Sequence, residues 1–356
     1  MFDDARKAED KGERINRLRQ YLLTEKMASS FAEPHELASL VQAAIAKYLD
    51  DNKPSPVTVE EKDGSPRITW DIDNPKDGSP YPGLMHFTRK YARVFFGREA
   101  EVNEILDRMR GPEGRFIIIS GDSGVGKSSV VDAGILPRLE DGALPGGEHA
   151  ETVRMVPGQG NEPFAALMTA LGSYATRGGL RPDAVAQALK TSPEELTEQI
   201  RKITGGGTNA KPLVLFLDQM EELFTAQDVE ESNKFLTALY RAAQEKSLWV
   251  IATIRSDHLH FCHRHPQMLS VLKGSGHYPL GRVEPYMMPD MIVKPAISAG
   301  LTISDTLARR IVNDTLAFRN LESSESDSVN LPLMAFVLNQ LFLKRTDHSL
   351  SEEGST

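Results

Sequence analysis

The chain has 356 residues, and 41 lysines and arginines against 50 aspartates and glutamates give it a formal net charge of −9. A pI near 5.6 argues against a dedicated nucleic-acid or membrane-surface binder, because such partners attract basic surfaces. The single cysteine, Cys262, excludes an internal disulfide and a multi-cysteine zinc module. The charged N-terminus holds no apolar signal core, and no run is long enough to cross a bilayer, so we predict a soluble, cytoplasmic protein.

The first 80 residues divide into two segments of different composition. In residues 1–49, apolar side chains recur every three or four positions, which predicts two helices that break near Pro34. Two helices bury little apolar surface on their own, so we expect this segment to be the helical remnant of an upstream domain. Residues 50–80 hold five prolines and many charges, a composition typical of a linker, with one short strand expected at 67–71.

From residue 81 onward, short apolar runs alternate with helical patterns. Strands are expected at 116–120, 152–156, 213–217 and 249–254. Helices are expected at 99–110, 128–140, 163–174, 193–203 and 229–244. This alternation predicts an α/β fold in which helices flank both faces of a parallel sheet, over residues 81–288. The remaining segment, 289–356, is expected to be mainly helical, with helices at 291–300, 305–318 and 331–343.

The most specific motif is Gly121-Asp-Ser-Gly-Val-Gly-Lys-Ser-Ser129, which fits the phosphate-loop pattern G-x-x-x-x-G-K-[ST] at every fixed position. A chance glycine-rich turn is the alternative, but a chance turn rarely has a buried strand before it and a helix after it. Positive φ at Gly121, Gly124 and Gly126 is expected to turn backbone N–H groups toward one anion, beside the N-terminus of the following helix. Nucleotide-binding residues are therefore predicted at Gly121, Ser123, Gly124, Val125, Gly126, Lys127, Ser128 and Ser129.

A magnesium site is expected next to this loop. Lys127 is expected to reach the β and γ phosphates, and Ser128 Oγ to ligate Mg²⁺. Asp218 ends the apolar run 213–217, and parallel strands present their carboxyl ends at the edge of the sheet where ligands bind. We predict that Asp218 holds Mg²⁺ through water, and helix capping is the alternative role for this carboxylate.

Two glutamates, Glu221 and Glu222, follow closely, whereas the position directly after Asp218 is the amide Gln219. Either glutamate is a candidate base for activating water, and the alternative is that Gln219 only orients that water. A further alternative is that both glutamates favour the first helical turn electrostatically. The amide at position 219 predicts slow hydrolysis, which suits a switch better than a motor.

Further polar groups follow the strand expected at 249–254. Arg255 is a candidate sensor of the γ-phosphate, and a surface ion pair with Asp257 or a glutamate is the alternative. Four histidines and the cysteine crowd residues 258–265 and raise the possibility of a metal site. Their i, i+2 spacing fits no zinc class, so solvated helix or loop residues are expected there instead.

Together these residues resemble the STAND NTPases, a branch of signalling P-loop ATPases, and within it the bacterial "novel STAND" group that is often fused to WD repeats. The resemblance rests on 79–84 with 95–99, on the extended phosphate loop at 121–137, on LDQMEELF at 217–224 and on TIRSD at 253–257. Two further matches are Lys294-Pro-Ala296 and Asn330-Leu-Pro-Leu333. The resemblance spans about 79–345 and implies a P-loop NTPase with a C-terminal helical lid. The N-terminal helices resemble the end of a TIR-like or deoxyribosyltransferase-like domain.

The resemblance implies further site residues and a cofactor. Phe96, Gly97 and Arg98 would border the adenine and ribose, and Pro332, which is also explicable as a helix N1 proline, would approach the nucleotide from the lid. ATP or ADP is expected rather than a guanine nucleotide, because no N-K-x-D motif occurs. Relatives continue into a winged-helix module and a sensor array, so a chain that ends at Thr356 is expected to carry a truncated lid and to lack sensor or effector domains.

Three functions remain open at this point. The resemblance favours an ATP-dependent signalling switch with slow or regulated hydrolysis, which self-associates when ATP replaces ADP and serves bacterial stress or antiphage defence. A constitutive P-loop ATPase is the second, and it requires a well-placed base. A non-enzymatic interaction module that retains nucleotide for structure is the third. Turnover separates the second from the first, and a nucleotide-dependent oligomeric state separates the first from the third.

Overall fold

The computed structural model describes residues 58–60, 66–68, 78–157, 162–205, 211–225, 228–317, 331–345 and 349–350. The chain divides into the units Met1–Thr69 and Trp70–Thr356. In the first unit, strand β1 (Thr58–Glu60) pairs antiparallel with strand β2 (Pro66–Ile68), which contains the first two residues of the strand expected at 67–71. The helices predicted within 1–49 and the remainder of that strand lie outside the described residues.

The second unit is built on a five-stranded parallel sheet. Its strands are β3 (Phe116–Gly121), β4 (Glu151–Met155), β5 (Leu213–Leu217), β6 (Trp249–Arg255) and β7 (His277–Pro279). They lie in the order β4-β5-β6-β3-β7, and every neighbouring pair is parallel. Because β3 lies between β6 and β7, the strand order reverses beside it, and such a point opens a crevice at the carboxyl ends of the strands. The predicted α/β fold is confirmed.

Alternate side chains of each central strand enter different cores, because successive residues of a strand point to opposite faces of the sheet. On β5, Leu213, Leu215 and Leu217 pack in one apolar cluster, while Val214 and Phe216 pack in another. The same alternation divides β3 and β6 between these two clusters. Burial on both faces explains why these strands read as continuous apolar runs.

The helices on the two faces follow the predicted pattern, with four additions. On one face lie α1 (Glu99–Arg110) and α2, which runs through Lys127–Ser129, a π-helical stretch Val130–Ile135 and Leu136–Glu140. The other helices of this part are α3 (Pro163–Ala170), α4 (Gly172–Arg177), α5 (Pro182–Thr191), α6 (Leu196–Thr204), α7 (Glu222–Thr225), α8 (Val229–Gln244), α9 (Leu259–Cys262) and α10 (Pro266–Lys273). The helices α5, α7, α9 and α10 were not among the predicted helices, and the helix predicted at 163–174 is divided between α3 and α4.

The C-terminal helices form an apolar core of their own. They are α11 (Met288–Ser298), α12 (Asp305–Ala317) and α13 (Leu331–Leu343). The short strand β8 (Thr302–Ile303), between α11 and α12, pairs parallel with β9 (Ser349–Leu350), which follows α13. Tyr81 is buried in this third cluster, and its hydroxyl donates a 2.5 Å hydrogen bond to the carbonyl of Ile292. The segment that leads into the sheet domain is thereby anchored to the C-terminal helices. Of the helices that the structure describes, none has the length and apolarity that crossing a bilayer requires.

Candidate functional site

The loop between β3 and α2 lies at the carboxyl edge of the sheet. Gly124 and Gly126 have φ values of 76° and 98°, in the left-handed region that favours glycine. The positive φ predicted for Gly121 is wrong, because this residue is still part of β3. Glycine is needed there for close packing instead, since a Cβ at position 121 would lie 2.9 Å from both the Leu280 carbonyl oxygen and a Val125 methyl group.

Lys127 lies across the mouth of the loop. Its Nζ donates hydrogen bonds to the carbonyls of Gly121 at 2.8 Å and Asp122 at 2.9 Å. Burial lowers the pKa of Lys127 most, while the charges of Glu221 and Asp218 raise this pKa in part. A desolvated cation gains from an anion placed beside it, so the loop is suited to phosphate.

Asp218 lies fully buried at the centre of a hydrogen-bond network. Its Oδ1 accepts hydrogen bonds from Ser128 Oγ at 2.8 Å and Thr253 Oγ1 at 2.6 Å. Its Oδ2 accepts one from Arg154 Nη2 at 2.7 Å. The helix α7 begins only at Glu222, so the carboxylate binds side chains of three other elements rather than capping a helix.

These oxygen atoms fit a magnesium ion. Mg²⁺ prefers hydroxyl, carboxylate and water oxygens in an octahedral arrangement. The Ser128 hydroxyl and the Asp218 carboxylate supply such atoms side by side. In addition, Glu221 Oε2 is buried without a hydrogen-bond partner in the described part of the chain, and a metal-bound water would satisfy it. Ser128 would bind the ion directly, and Asp218 would bind it through water.

The structure separates the two candidate glutamates and gives Arg255 a partner. Glu221 is among the strongest electrostatic influences on Lys127, whereas Glu222 is the first residue of α7.

Arg255 lies beside Gly121 in the register of β6 and β3, at the edge of the loop. Its guanidinium pairs with Asp257, with distances of 2.6 Å for Nη2–Oδ2 and 3.1 Å for Nε–Oδ1. This pair is the alternative that the sequence left open for Arg255.

Arg98 holds the loop in place through buried polar contacts. Its side chain is only 2% exposed, and its Nη2 donates to the carbonyls of Val125 at 2.9 Å and Gly281 at 3.0 Å. Its Nη1 pairs with Glu101 at 2.5 Å. Arg98 therefore ties the phosphate loop to α1 and to the segment after β7.

Gly97 and Phe96 lie next to the C-terminal helices. Gly97 has a φ of 84°, and a Cβ there would lie 2.5 Å from the Met291 side chain on α11. Phe96 has the ammonium group of Lys294, also on α11, 6.0 Å from its ring centroid. Only glycine permits this approach of α11 to the backbone at position 97.

A cavity of about 260 Å³ connects the loop with the C-terminal helices. The phosphate-loop residues from Gly124 to Ser129 line it, and most of the remaining lining is apolar. The apolar lining includes Leu84, Met85, Phe87, Phe96, Met291 and Pro332. Pro332 lies near the loop, with its Cγ 3.5 Å from the position that a Cβ of Gly124 would occupy. The cavity thus brings together Phe96, Arg98, most of the predicted loop residues and Pro332.

Three residues of the site were not predicted. Thr253 holds Asp218 and also accepts a hydrogen bond from the Gln219 amide at 3.0 Å. Arg154 pairs with Asp218 from β4. His86 lies 2.9 Å from the Asp132 carboxylate on α2. The available signal was position, because Thr253 and Arg154 are polar residues near the carboxyl ends of strands in the same parallel sheet.

The histidine-rich segment 258–265 forms α9 and the turns on either side of it. The described residues hold no group of three or more histidine, cysteine or carboxylate side chains that could bind an ion. The expectation that these residues are solvated is wrong for Cys262 and His265, which are both buried. Cys262 packs in the core of one sheet face, and burial raises the pKa of its thiol to about 12, so it is unreactive.

Comparison with known proteins identifies similar chains. Residues 80–354 match the family described as Novel STAND NTPase 1. The ORC1 protein of Aeropyrum pernix, solved in complex with DNA, is 17% identical with a TM-score of 0.51, over 74% of this chain and 65% of that chain. The Walker-type ATPase PABY2304 of Pyrococcus abyssi is 12% identical with a TM-score of 0.45, over 73% of this chain and 69% of that chain. The chain thus spans less than two thirds of the ORC1 chain. No curated protein matches it.

Proposed function

The chain belongs to the Novel STAND NTPase 1 family, and from that premise we propose that it is an ATP-binding signalling switch that hydrolyses ATP slowly. In this proposal, ADP holds an NTPase core, residues 81–288, against a helical lid, residues 289–356. Exchange for ATP releases the lid and permits self-association.

The shared cavity is the observation that carries this proposal. Pro332 on α13 and Met291 on α11 line the same cavity as Lys127 of the phosphate loop. A nucleotide in that cavity would contact the core and the lid at once. A ligand shifts an equilibrium only by its differential affinity for the two states, so contact with both parts is what a nucleotide-controlled switch requires.

The proposed chemistry uses the chain's own residues in four roles. The loop N–H groups and Lys127 bind the phosphates, and Asp218 is kept in place by Thr253. Mg²⁺, when bound to Ser128, would neutralise charge on the β and γ phosphates. Glu221 would accept the proton of the attacking water, because its Oε2 is buried and has no other partner in the described residues. Arg255 would leave Asp257 to contact the γ-phosphate.

The partners in this proposal are a nucleotide and a protein. The largely apolar lining of the cavity favours a stacked base over a solvated one. The DNA that accompanies ORC1 belongs to that protein, and a net charge of −9 favours a protein partner, including a second copy of this chain, over a phosphate backbone. Bacterial stress or antiphage defence is the setting that we propose for such a switch.

The nucleotide carried through purification tests this proposal. We expect near-stoichiometric ADP when the purified chain is denatured and the supernatant is separated by anion exchange beside nucleotide standards. The reason is that a ligand held between core and lid dissociates slowly. Protein that carries no nucleotide, and that binds neither added ADP nor added ATP, would contradict the proposal.

Substitution of Glu221 by glutamine is expected to slow single-turnover ATP hydrolysis by about 100-fold or more, since that is the typical contribution of a general base. The affinity for Mg-ATP should stay within about threefold, because the amide is nearly isosteric and Lys127 is untouched. Glu222→Gln is the matched control, and it should hydrolyse at nearly the wild-type rate. If only Glu222→Gln lost hydrolysis, the base would be Glu222, and the role proposed for Glu221 would be wrong.

A further inference from the structure

Arg154 forms an ion pair with Asp218, the carboxylate that would hold magnesium together with Ser128. Arg154 Nη2 lies 2.7 Å from Asp218 Oδ2, and the Asp218 side chain is only 1% exposed. Since Oδ1 already accepts hydrogen bonds from Ser128 and Thr253, Oδ2 is the oxygen left to receive a metal-bound water. A guanidinium and a hydrated dication beside the same carboxylate oxygen would repel each other.

Arg154 has room to leave this position. It lies on β4, which is the edge strand of the five-stranded sheet, and its side chain is 35% exposed. The guanidinium also lies 5.8 Å from the centroid of the Phe216 ring, on the neighbouring strand. An edge arginine can turn toward water without disturbing the core, whereas Asp218 cannot move away.

We propose that Arg154 is an internal counter-cation that competes with Mg²⁺ for Asp218. It stabilises the carboxylate in the metal-free state and raises the Mg²⁺ concentration at which triphosphate binds. This inference rests on the proposed nucleotide-binding function and adds a regulatory step to it. Loading with Mg-ATP then requires that Arg154 release Asp218, so the arginine biases the switch toward its resting state.

The test is the Mg²⁺ dependence of nucleotide binding in the full chain. The Mg²⁺ midpoint for binding a fluorescent ATP analogue is measured for wild type, Arg154→Gln and Arg154→Lys, and Mn²⁺ bound to the same complexes is counted by electron paramagnetic resonance. Arg154→Gln should lower the midpoint by about tenfold, the smallest effect usual for a close opposite charge. Arg154→Lys keeps the charge and should leave the midpoint within about threefold of wild type.

Two further variants keep the result interpretable. Arg154→Met preserves packing over Phe216 without charge and must shift the midpoint in the same direction as Arg154→Gln. Arg177→Gln is the control. It removes an exposed arginine 3.8 Å from Glu151, which lies on β4 like Arg154, and it should not shift the Mg²⁺ midpoint. If wild type binds nucleotide normally but the Mg²⁺ midpoint is unchanged or raised in Arg154→Gln and Arg154→Met, this inference is overturned and the proposed function is not. Wild-type protein that binds no nucleotide at any Mg²⁺ concentration would overturn the proposed function and this inference with it.

Discussion

Lys127→Ala is expected to abolish measurable binding of Mg-ATP, with at least about a 100-fold loss of affinity. The ammonium group is the cation nearest the loop carbonyls of Gly121 and Asp122, and it would exchange these neutral acceptors for phosphate oxygens. Each charge-assisted hydrogen bond lost is worth about 1.5–3 kcal/mol, so two of them account for a loss of that size. Isothermal titration of the purified chain with Mg-ATP measures it.

The fold of the Lys127→Ala variant should survive, which separates lost binding from lost structure. Burial lowers the pKa of Lys127, which means that the charged form is destabilised where it lies. Removing that charge therefore sacrifices two hydrogen bonds but also removes a desolvation cost, and the melting temperature should change by no more than about 4 °C. Lys234→Ala, which removes an exposed lysine paired with Glu230 on α8, is the control and should bind normally. Binding by Lys127→Ala at near wild-type affinity would show that 121–129 is not the phosphate site.

The central strands were predictable because local sequence determines them. The strand Leu213–Leu217 has five apolar residues between Pro212 and Asp218, and all five are buried. The strand β7 was missed because His277–Pro279 has only three residues, of which one is a histidine and one a proline. Its place in the sheet comes from pairing with β3, a long-range contact that no local pattern records.

The candidate site was predictable only where it follows from a general rule about parallel sheets. The proximity of Ser128 and Asp218 follows from a general rule, since the carboxyl ends of parallel strands meet at one edge. The contact between Arg154 and Asp218 depends on the order β4-β5-β6, which composition and periodicity do not specify. Gln219 has a φ of 58°, uncommon for a residue other than glycine, and hydrogen bonds from the backbone amides of 219 and 220 to Thr253 hold this turn. That conformation depends on β6 lying beside β5, so sequence alone could not reveal it.

Arg98→Met is expected to lower the free energy of unfolding by about 3–5 kcal/mol, the usual effect of removing one partner from a buried ion pair. The substitution leaves Glu101 without its cation and removes the donors of two backbone carbonyls, on Val125 and Gly281. Methionine fills much of the same volume, so the loss reflects polar contacts rather than a cavity. Urea denaturation followed by circular dichroism measures the change.

The same variant separates two roles for Arg98. Structural support of the loop and direct contact with the nucleotide base predict different effects on stability and on nucleotide affinity. If Arg98 only bordered the base, Arg98→Met would weaken nucleotide binding while stability stayed the same. If Arg98 supports the loop, Arg98→Met should lose both stability and nucleotide affinity, since Val125 belongs to the loop that binds phosphate. Arg98→Lys should recover little, because one ammonium cannot reproduce a planar fork that reaches Glu101, Val125 and Gly281 together. Arg110→Met, which removes an exposed arginine paired with Asp107 on α1, is the matched control, and stability should change little, as for most surface pairs.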